Sequence, residues 1–322
     1  MYDVATIGDI KLDVFIDLGK DARVSCSKDE RACEMRIKYG QKIPVDSAVS
    51  MVAGSAANVA IGLRRLGTTS TVVSVMGDDS TAMLARDVLR RESISPDYLT
   101  FDKGTQSSFS AVLNFEGEST VLAVHHPHRY SIPHVLESQW LFVCEMGGEY
   151  KTLYRDLAVR AVNGQRIALN PGAIQLEQRS SELLALIRVC DTLFLNRVEA
   201  KALCHCPSND PEALLRSVQE MGPRLAIVTD GEHGAFATEN KTIWHAPAFP
   251  AKRVEATGAG DAFSTGVLGA LIHEHNLPTA LAWGSVNAAS VVEHVGPQAG
   301  LLATTQIKTR LQQHPSYTVR SI

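Results

Sequence analysis

Residues 254–263 read Val-Glu-Ala-Thr-Gly-Ala-Gly-Asp-Ala-Phe, and the interpretation of the whole chain starts from this stretch. Small residues and glycines precede an acid, and apolar residues then recur at roughly helical spacing as far as Ile272. This pattern predicts that residues 258–261 lie at the start of a helix. A helix start offers unpaired N–H donors and the positive end of a dipole, and both attract anions.

The residue types in this stretch also point to a reaction. Glycines let the backbone approach a phosphate closely and let successive N–H groups converge on it. The charge of Asp261 would repel a phosphate, so its position fits a base that takes a proton from an attacking hydroxyl. The alternative is a glycine-rich turn in which Asp261 is an ordinary acid in the first turn of a helix, and the spacing alone does not separate the two.

Composition limits the class of protein. The chain has 322 residues, of which 45% are hydrophobic and 20% charged, with a formal net charge of −4. This is enough for one large α/β domain or two smaller ones. The mild acidity and the lack of a Lys/Arg block argue against nucleic-acid binding. No apolar stretch is long enough to span a bilayer, and the chain opens on a strand-like run at 2–7 without a signal peptide, so a cytoplasmic location is expected.

The cysteines are not arranged as a metal site. They lie at positions 26, 33, 144, 190, 204 and 206. Neither the pair 26 and 33 nor the pair 204 and 206 has a paired zinc-ligand spacing, so buried or incidental thiols are expected, reduced as in a cytoplasm. The mixed-charge stretch 19–40 is interpreted as a surface insertion that includes a short helix, with no assigned chemistry.

Strands and helices alternate along most of the chain, which predicts a parallel sheet. Polar residues such as Glu145 and Asn196 follow the buried strands, and ligands bind at this edge of open α/β sheets. Residues 107–126 break the rhythm: they alternate around Glu116-Gly117-Glu118 and predict a β-hairpin, which would belong to a small appended sheet or lid.

Several polar residues are binding candidates, each with a simpler alternative. Asp9, Lys11 and Asp13 share one face of an extended segment and would point into one cleft, although a solvated strand edge is slightly favoured. Asn58 follows small residues at a predicted helix start, where it suits a sugar hydroxyl. The alternative is that the small residues allow tight helix–sheet packing and Asn58 is hydrogen-bonded to the backbone. The histidines 125, 126 and 128 with Arg129 form either a hydroxyl- or anion-contacting loop or a solvated basic turn.

Asn196 and Glu199 form an N-x-x-E pair at a predicted helix start. Mg²⁺ keeps several waters and takes few protein oxygens, so this sparse pair fits its hydration shell. The same offset is that of a capping box, which is the better interpretation of the pair read alone.

In their order along the chain, these motifs resemble the ribokinase-like (PfkB) carbohydrate kinase family, and the match covers almost the whole chain. Residues 258–261 match the family's anion hole and catalytic base, which is the most specific of the motifs. The others are the N-terminal substrate segment at Asp9 and Asp13, the sugar-binding signature at 54–58, the magnesium–phosphate motif at Asn196 and Glu199, and the nucleotide contact at Thr229 and Gly231.

The resemblance implies a fold and a reaction. The fold would be a three-layer α/β/α sandwich with a mainly parallel central sheet, as a single domain over 1–322. Its small β-sheet lid would come from segments near 10–18, 39–52 and 107–126, and lids of this kind often pair in homodimers. The reaction would be phosphoryl transfer from ATP to an alcohol, with Asp261 as the base.

The resemblance also implies roles for particular residues. The amides of Gly258, Ala259 and Gly260 would form the anion hole, and Asn196 and Glu199 would hold Mg²⁺ largely through water. The substrate-binding candidates are Asp9, Lys11, Asp13, Gly54, Asn58, Arg129 and Glu145. The nucleotide-binding candidates are Asn196, Thr229, Gly231, Gly234 and Asn287.

Departures from the family pattern bear on the cofactors and the acceptor. Glu255-Ala256 replaces the usual Asp-Thr, whose Asp helps bind a monovalent cation in some members; Glu255 keeps the charge but is longer, so K⁺ dependence stays open. Ser55 stands where members acting on phosphorylated sugars often have Lys, which favours an unphosphorylated sugar or a nucleoside. Lys11, with Arg129 and His126, points instead to a carboxylate or phosphate.

Two alternatives to a sugar kinase remain at this stage. A nucleoside kinase would need aromatic lid residues that stack on a base, for which Phe109 and Phe115 are the candidates. A catalytically silent sensor of sugars or nucleotides would have the same fold, and the presence of Asp261, Asn196 and Glu199 together argues against it.

Overall fold

The computed structural model of the chain describes residues 1–19, 23–26, 33–208, 210–239 and 242–322. The strands within these ranges are β1 (Tyr2–Ile7), β2 (Lys11–Asp17), β3 (Arg23–Cys26), β4 (Cys33–Arg36), β5 (Ser47–Ala53), β6 (Ser70–Gly77), β7 (Leu99–Asp102), β8 (Ser108–Phe115), β9 (Glu118–Val124), β10 (Ser138–Val143), β11 (Arg166–Leu169), β12 (Thr192–Asn196), β13 (Leu225–Thr229), β14 (Ala235–Glu239), β15 (Thr242–Ala246) and β16 (Arg320–Ser321). The helices are α1 (Ser55–Arg65), α2 (Ser80–Arg91), α3 (Lys151–Val162), α4 (Ala173–Gln178), α5 (Ser181–Val189), α6 (Arg197–Cys204), α7 (Pro211–Glu220), α8 (Ala259–Ile272), α9 (Leu277–Val291) and α10 (Thr304–Gln313).

The central sheet is mainly parallel, as predicted. Its strand order is β16-β15-β14-β13-β12-β11-β10-β1-β6-β7. The strands from β7 to β13 in this order run parallel, and β14, β15 and β16 extend one edge with antiparallel pairs. Parallel strands covered on both faces read as continuous apolar runs, and the last four residues of β10 are accordingly all buried.

Helices cover both faces of this sheet. Successive strand residues point to opposite faces, so Leu141 and Phe142 of β10 belong to different cores. Phe142 packs in the core formed with α1, α2, α8, α9 and α10, and Leu141 packs in the one formed with α3 to α7. The predicted three-layer sandwich is therefore confirmed.

Close packing of α8 on α9 fixes the helix that carries Asp261. A Cβ added to Gly266 would lie 2.7 Å from Cα of Gly284, so the two backbones approach more closely than any side chain would allow. Glycine inside a helix costs about 1 kcal/mol relative to alanine, and this contact gives a packing reason for it.

A separate small sheet, ordered β5-β2-β8-β9, is built from the three segments predicted to form the lid. The predicted hairpin is β8–β9, and it turns at Glu116 and Gly117, whose φ angles of 51° and 81° suit a type I′ turn. One face of this sheet, here called the inner face, carries the buried side chains of Lys11, Asp13 and Ser110. The opposite, outer face carries exposed apolar side chains, among them Phe109, Leu122 and Val124.

Residues 23–26 and 33–36 of the mixed-charge stretch form strands, so the short helix predicted in this stretch does not lie in these two segments. Strands β3 and β4 pair antiparallel and place Cys26 opposite Cys33. The two Cα atoms lie 4.0 Å apart and the sulfurs form a disulfide, so the expectation of free thiols is wrong for this pair, because cross-strand neighbours come within bonding reach. Cys144, Cys190, Cys204 and Cys206 are free thiols. Residues 20–22 and 27–32 of this stretch lie outside the described residues.

None of the helices in the described ranges has the length and apolar character needed to cross a membrane.

Candidate active site

Residues 258–261 form the N-cap and the first turn of α8. Gly258 is the N-cap residue and has a φ of 82°, in the left-handed region that favours glycine. A Cβ at this position would also lie 2.7 Å from Cα of Pro297. Both the dihedral angle and the contact therefore require glycine at 258, and the backbone amides that follow it lie at a helix N-terminus, as predicted.

Two adjoining clefts meet at this turn. The first, here called the polar cleft, has a volume of about 300 Å³ and lies at the carboxyl ends of β10 to β13, where ligands bind in α/β sheets. Its walls include Ser55, Glu145, Asn170, Asn196, Glu199, Thr229, Gly258, Gly260, Asp261 and Phe263. The second, here called the apolar cleft, has a volume of about 440 Å³. Its walls include Thr229, Gly231, Gly234, Ala248, Phe249, Gly260, Phe263, Ala288, Ala289 and Val292.

Asp261 is half-buried and lines the polar cleft, and its carboxylate has a shifted pKa. Oδ2 of Asp261 accepts a hydrogen bond of 2.8 Å from Nδ2 of Asn58. Burial raises the pKa of Asp261 to about 6, and the charge of Glu145 acts in the same direction; hydrogen bonds from Asn58 and Ser55 oppose the rise. A carboxylate with this pKa is deprotonated at neutral pH and is still a stronger base than an exposed aspartate.

Gln298 is a member of this site that the sequence did not predict. Its Nε2 donates to Oδ1 of Asn58 at 2.9 Å and to the carbonyl oxygen of Val52 at 2.9 Å. Gln298 and Asn58 are 240 positions apart in the chain, so no local pattern could have linked them.

The charged residues that open the chain are buried, so the solvated-edge interpretation of them is wrong. Asp9, Lys11 and Asp13 are 1%, 6% and 5% exposed. Nζ of Lys11 forms an ion pair of 2.5 Å with Oε1 of Glu145. Burial alone would lower the pKa of Lys11 and raise that of Glu145, but their mutual attraction outweighs it and shifts both pKa values the other way. Each charge therefore neutralises the other.

Asp9 is also fully partnered, whereas Asp13 is not. Oδ2 of Asp9 lies 2.6 Å from Nδ1 of His125, and Oδ1 accepts a hydrogen bond from the hydroxyl of Tyr130. Neither partner of Asp9 was predicted from the sequence. Oδ1 of Asp13 is buried and makes no hydrogen bond, and burial raises the pKa of this carboxyl. Buried polar atoms are normally hydrogen-bonded, so Asp13 is positioned to accept a ligand hydroxyl.

Asn196 and Glu199 form the capping box that was the favoured interpretation of this pair. Oδ1 of Asn196 accepts from N of Glu199 at 2.9 Å, and Oε2 of Glu199 accepts from N of Asn196 at 2.8 Å. Both residues line the polar cleft, and burial raises the pKa of Glu199. The cap uses Oε2, so capping and contact with a hydrated cation through Oε1 are compatible. No group of three or more His, Cys, Asp or Glu that could hold a metal occurs among the described residues.

Glu255 is buried and hydrogen-bonded on both carboxylate oxygens. Oε1 accepts from N of Thr257 at 2.6 Å and from Oγ of Ser119 at 3.0 Å, and Oε2 accepts from N of Gly296 at 2.9 Å. The acid proposed as a monovalent-cation ligand thus joins the α8 loop, the small sheet and the segment after α9.

The remaining predicted residues divide into two groups. Thr229, Gly231 and Gly234 line the apolar cleft, and Gly54 caps α1 with a φ of 94°. The structure places two others outside both clefts. The side chain of Arg129 is 90% exposed, 4.0 Å from Glu149. Asn287 is buried, where Nδ2 donates to the carbonyl oxygen of Ala262 and Oδ1 accepts from N of Leu302, so it braces α8 against α9.

Known proteins with similar sequences are kinases of small molecules. The model of the pfkB family of carbohydrate kinases matches residues 25–304. A fructokinase of Salmonella typhimurium is 28% identical over 269 residues, which are 78% of this chain and 85% of the relative. A nucleoside kinase of Methanothermobacter thermautotrophicus is 26% identical over 281 residues, or 82% of this chain and 85% of the relative.

Solved structures share the fold. An E. coli protein assigned as a ribokinase II, solved in complex with ATP and Mg²⁺, superposes with a TM-score of 0.77 at 17% sequence identity. The superposition covers 98% of this chain and 100% of that chain, so the small sheet and the central sheet both have counterparts in one known fold.

Proposed function

The chain belongs to the PfkB family of carbohydrate kinases, and on this premise we propose that it is an ATP-dependent sugar kinase that phosphorylates a hydroxyl of a small, unphosphorylated carbohydrate. The observation that carries the proposal is the position of Asp261: a carboxylate with a raised pKa stands in the first turn of a helix and lines the polar cleft, next to Gly260, which lines both clefts.

Asp261 acts as the general base. Its carboxylate accepts the proton of the acceptor hydroxyl while the hydroxyl oxygen forms a bond to the γ-phosphorus of ATP. The bond between the γ-phosphorus and the bridging oxygen breaks, and ADP leaves with the electron pair. The amides of Gly258, Ala259 and Gly260 stabilise the charge on the transferred phosphoryl oxygens, because they are fixed before the reaction begins.

The two clefts divide the nucleotide between them. The apolar cleft, with Gly231 and Gly234 at its wall, takes the adenine, and the polar cleft takes the phosphates over the start of α8. Asn196 and Glu199 fit a hydrated Mg²⁺, because Glu199 keeps a carboxylate oxygen beyond its cap and both residues line the polar cleft. When bound, Mg²⁺ neutralises phosphate charge.

The charges around the acceptor favour a neutral sugar. Of the three cations considered for a phosphate or carboxylate, Lys11 is paired with Glu145 and Arg129 points into solvent, which leaves only His126 of this set. Asp13 offers a buried, unpartnered oxygen that suits a hydroxyl.

The aromatic residues favour a sugar over a nucleoside. Phe109 and Phe115 alternate with Ser110 along β8, so they lie on the outer face and do not face the acceptor site. The inner face of the small sheet, which includes Asp13, covers the acceptor as a lid that excludes water. Its apolar outer face pairs two copies of the chain.

The proposal is tested by ADP formation with ATP and Mg²⁺ over a panel of pentoses, hexoses, sugar acids, sugar phosphates and nucleosides. We expect turnover with a neutral sugar and a drop of roughly three orders of magnitude in Asp261→Asn, since a positioned base is removed. ATP binding by the variant is the control for an intact cleft.

Each of three other results would overturn one part of the proposed function. Turnover of nucleosides alone replaces the sugar with a nucleoside acceptor. Binding without any turnover makes the protein a silent sensor. Near-native turnover in Asp261→Asn removes the base.

A further inference from the structure

We propose that Gln298 is a positioning residue that holds the Asn58 amide in the orientation that keeps Asp261 deprotonated. This inference rests on the proposed role of Asp261 as the base. Gln298 lies outside every motif that the sequence pointed to, and it connects to Asp261 through two side-chain hydrogen bonds in series.

The orientation of the Gln298 amide is fixed at its far end. The carbonyl oxygen of Val52 can only accept, so the Gln298 atom that lies 2.9 Å from it must be the nitrogen. The same nitrogen lies 2.9 Å from Asn58, so the Asn58 atom that faces it is the acceptor, Oδ1. Asn58 can then present only its Nδ2 hydrogens to Asp261, at 2.8 Å.

Gln298 itself is held from outside the site. The backbone carbonyl oxygen of Gln298 accepts a hydrogen bond of 2.7 Å from Nη1 of Arg65, and Arg65 forms an ion pair of 2.7 Å with Glu92. The preceding residue, Pro297, packs against Gly258 at the N-cap of α8. The segment 296–298 therefore supports both the amide cradle and the residue that orients the base.

The consequence concerns the protonation of Asp261. The Asn58 donor stabilises the carboxylate and opposes the effect of burial. Of the charged groups around Asp261, Glu145 raises its pKa and Lys11 lowers it, and the charge of Asp261 also acts on Glu199 and on the Cys144 thiol. Without Gln298, the Asn58 amide is free to turn Oδ1 toward Asp261, where it repels the carboxylate and accepts from the protonated acid. The base would then be protonated over a wider range of pH, and turnover would be lost at higher pH than in the wild type.

Two variants test this by the pH dependence of kcat. Gln298→Met keeps the length of the side chain and removes both donors. Gln298→Glu keeps its shape and, as a carboxylate, accepts from Asn58 Nδ2, which turns Oδ1 toward Asp261. We expect the acid limb of kcat to move up by about one pH unit in the Met variant and further in the Glu variant. Turnover should recover above the shifted limb, with KM for ATP unchanged. The same change at an exposed glutamine, Gln312→Met, is the control and should leave the limb in place.

A structural role would give a different result. If Gln298 only supports packing, kcat would fall by the same factor at every pH and the acid limb would not move, which overturns the proposal. A measurement on the wild type covers the case in which the variants do not fold. The side-chain amide NMR signals of Asn58 and Gln298 should titrate together near pH 6, and a Gln298 amide signal that is insensitive to this titration also overturns the proposal.

Failure of the inference is separable from failure of the proposed function. If Asp261→Asn is inactive but the acid limb of kcat does not move in folded Gln298 variants, only the positioning role of Gln298 is overturned. A fully active Asp261→Asn overturns the base itself.

Discussion

Asp261 is expected to destabilise the fold when it is charged. The folded pKa is about 6 and the ordinary value is 3.8, so between these pH values the folded chain binds more protons at this site than the unfolded chain does. Stability from this residue is therefore fully present below pH 4 and is lost as the pH rises through 6. The same burial that makes the carboxylate a useful base lowers the stability of the native state.

Replacing the charge should therefore stabilise the protein. The free energy of unfolding of Asp261→Asn should be about 1–2 kcal/mol higher than that of the wild type at pH 8. This figure is smaller than the full pKa shift would give, because the side chain is partly exposed to solvent. The gain should shrink as the pH falls from 6 to 4. Thermal or urea unfolding of both proteins across pH 4–8 measures this difference. A variant that is less stable at pH 8, or a difference that does not change with pH, would show that burial does not strain this carboxylate.

At the residue scale, the predictions that hold are those that rest on residues close together in the chain. The spacing around Asp261 and the offset of Asn196 from Glu199 are short-range patterns, and both stretches lie at the start of a helix, as predicted. The partners of Asp9 could not be predicted, because Tyr130 is 121 positions away in the chain and His125 is 116 positions away. Asn287, which the resemblance placed among the nucleotide contacts, is hydrogen-bonded instead to backbone groups of Ala262 and Leu302.

At the scale of elements, the loop before α8 is held by an internal carboxylate. Glu255 is one methylene longer than the aspartate usual at this position, and its carboxylate reaches the amides of Thr257 and Gly296 and the hydroxyl of Ser119. Both oxygens are therefore satisfied by donors of the chain. A bound monovalent cation would compete with these bonds, each worth about 1.5–3 kcal/mol because a charged group is involved.

Turnover should accordingly be independent of K⁺. Initial rates at saturating ATP and sugar should agree within about twofold between potassium chloride and tetramethylammonium chloride at equal ionic strength, which controls for screening. A several-fold increase on adding K⁺ would mean that a cation site forms at this loop despite the internal bonds.

The elements that were predicted correctly have a strong periodic pattern of apolar residues. The strand pair β3 and β4, which was not predicted, has no such pattern. The hairpin of β8 and β9 alternates over a full strand length on both sides of a Glu-Gly turn. Strands β3 and β4 have four residues each and an exposed, mixed-charge sequence. Their pairing joins Cys26 to Cys33. Strands of four residues are too short to show a periodic pattern in the sequence.

At the scale of the whole molecule, the layered architecture follows from a pattern that the parallel strands of the central sheet repeat. Continuous apolar strands that alternate with amphipathic helices leave few arrangements other than a parallel sheet covered on both faces. The order of motifs then identified the family. The face that each residue of the small sheet presents could not be predicted, because it depends on the register between β2 and β8, which are far apart in the chain.

That register leaves an apolar surface on the outside of the molecule. The outer face of the small sheet combines the exposed Phe109, Leu122 and Val124 with the half-buried Leu113. A soluble monomer rarely exposes so continuous an apolar face, and an identical copy related by a two-fold axis would cover it. We therefore expect a homodimer with twice the chain mass of 34.9 kDa.

A single charge on this face should separate the two copies. Leu122→Asp would bury two carboxylates against apolar side chains at a two-fold interface, so light scattering after size exclusion should give the mass of a monomer. Val162→Asp places the same charge on an exposed valine at the end of α3, and this control should remain a dimer. A wild-type monomer at micromolar concentration, or dissociation in both variants, would mean that the outer face does not pair copies of the chain. Because the same small sheet carries Asp13 on its inner face, dissociation should also raise KM for the sugar more than KM for ATP.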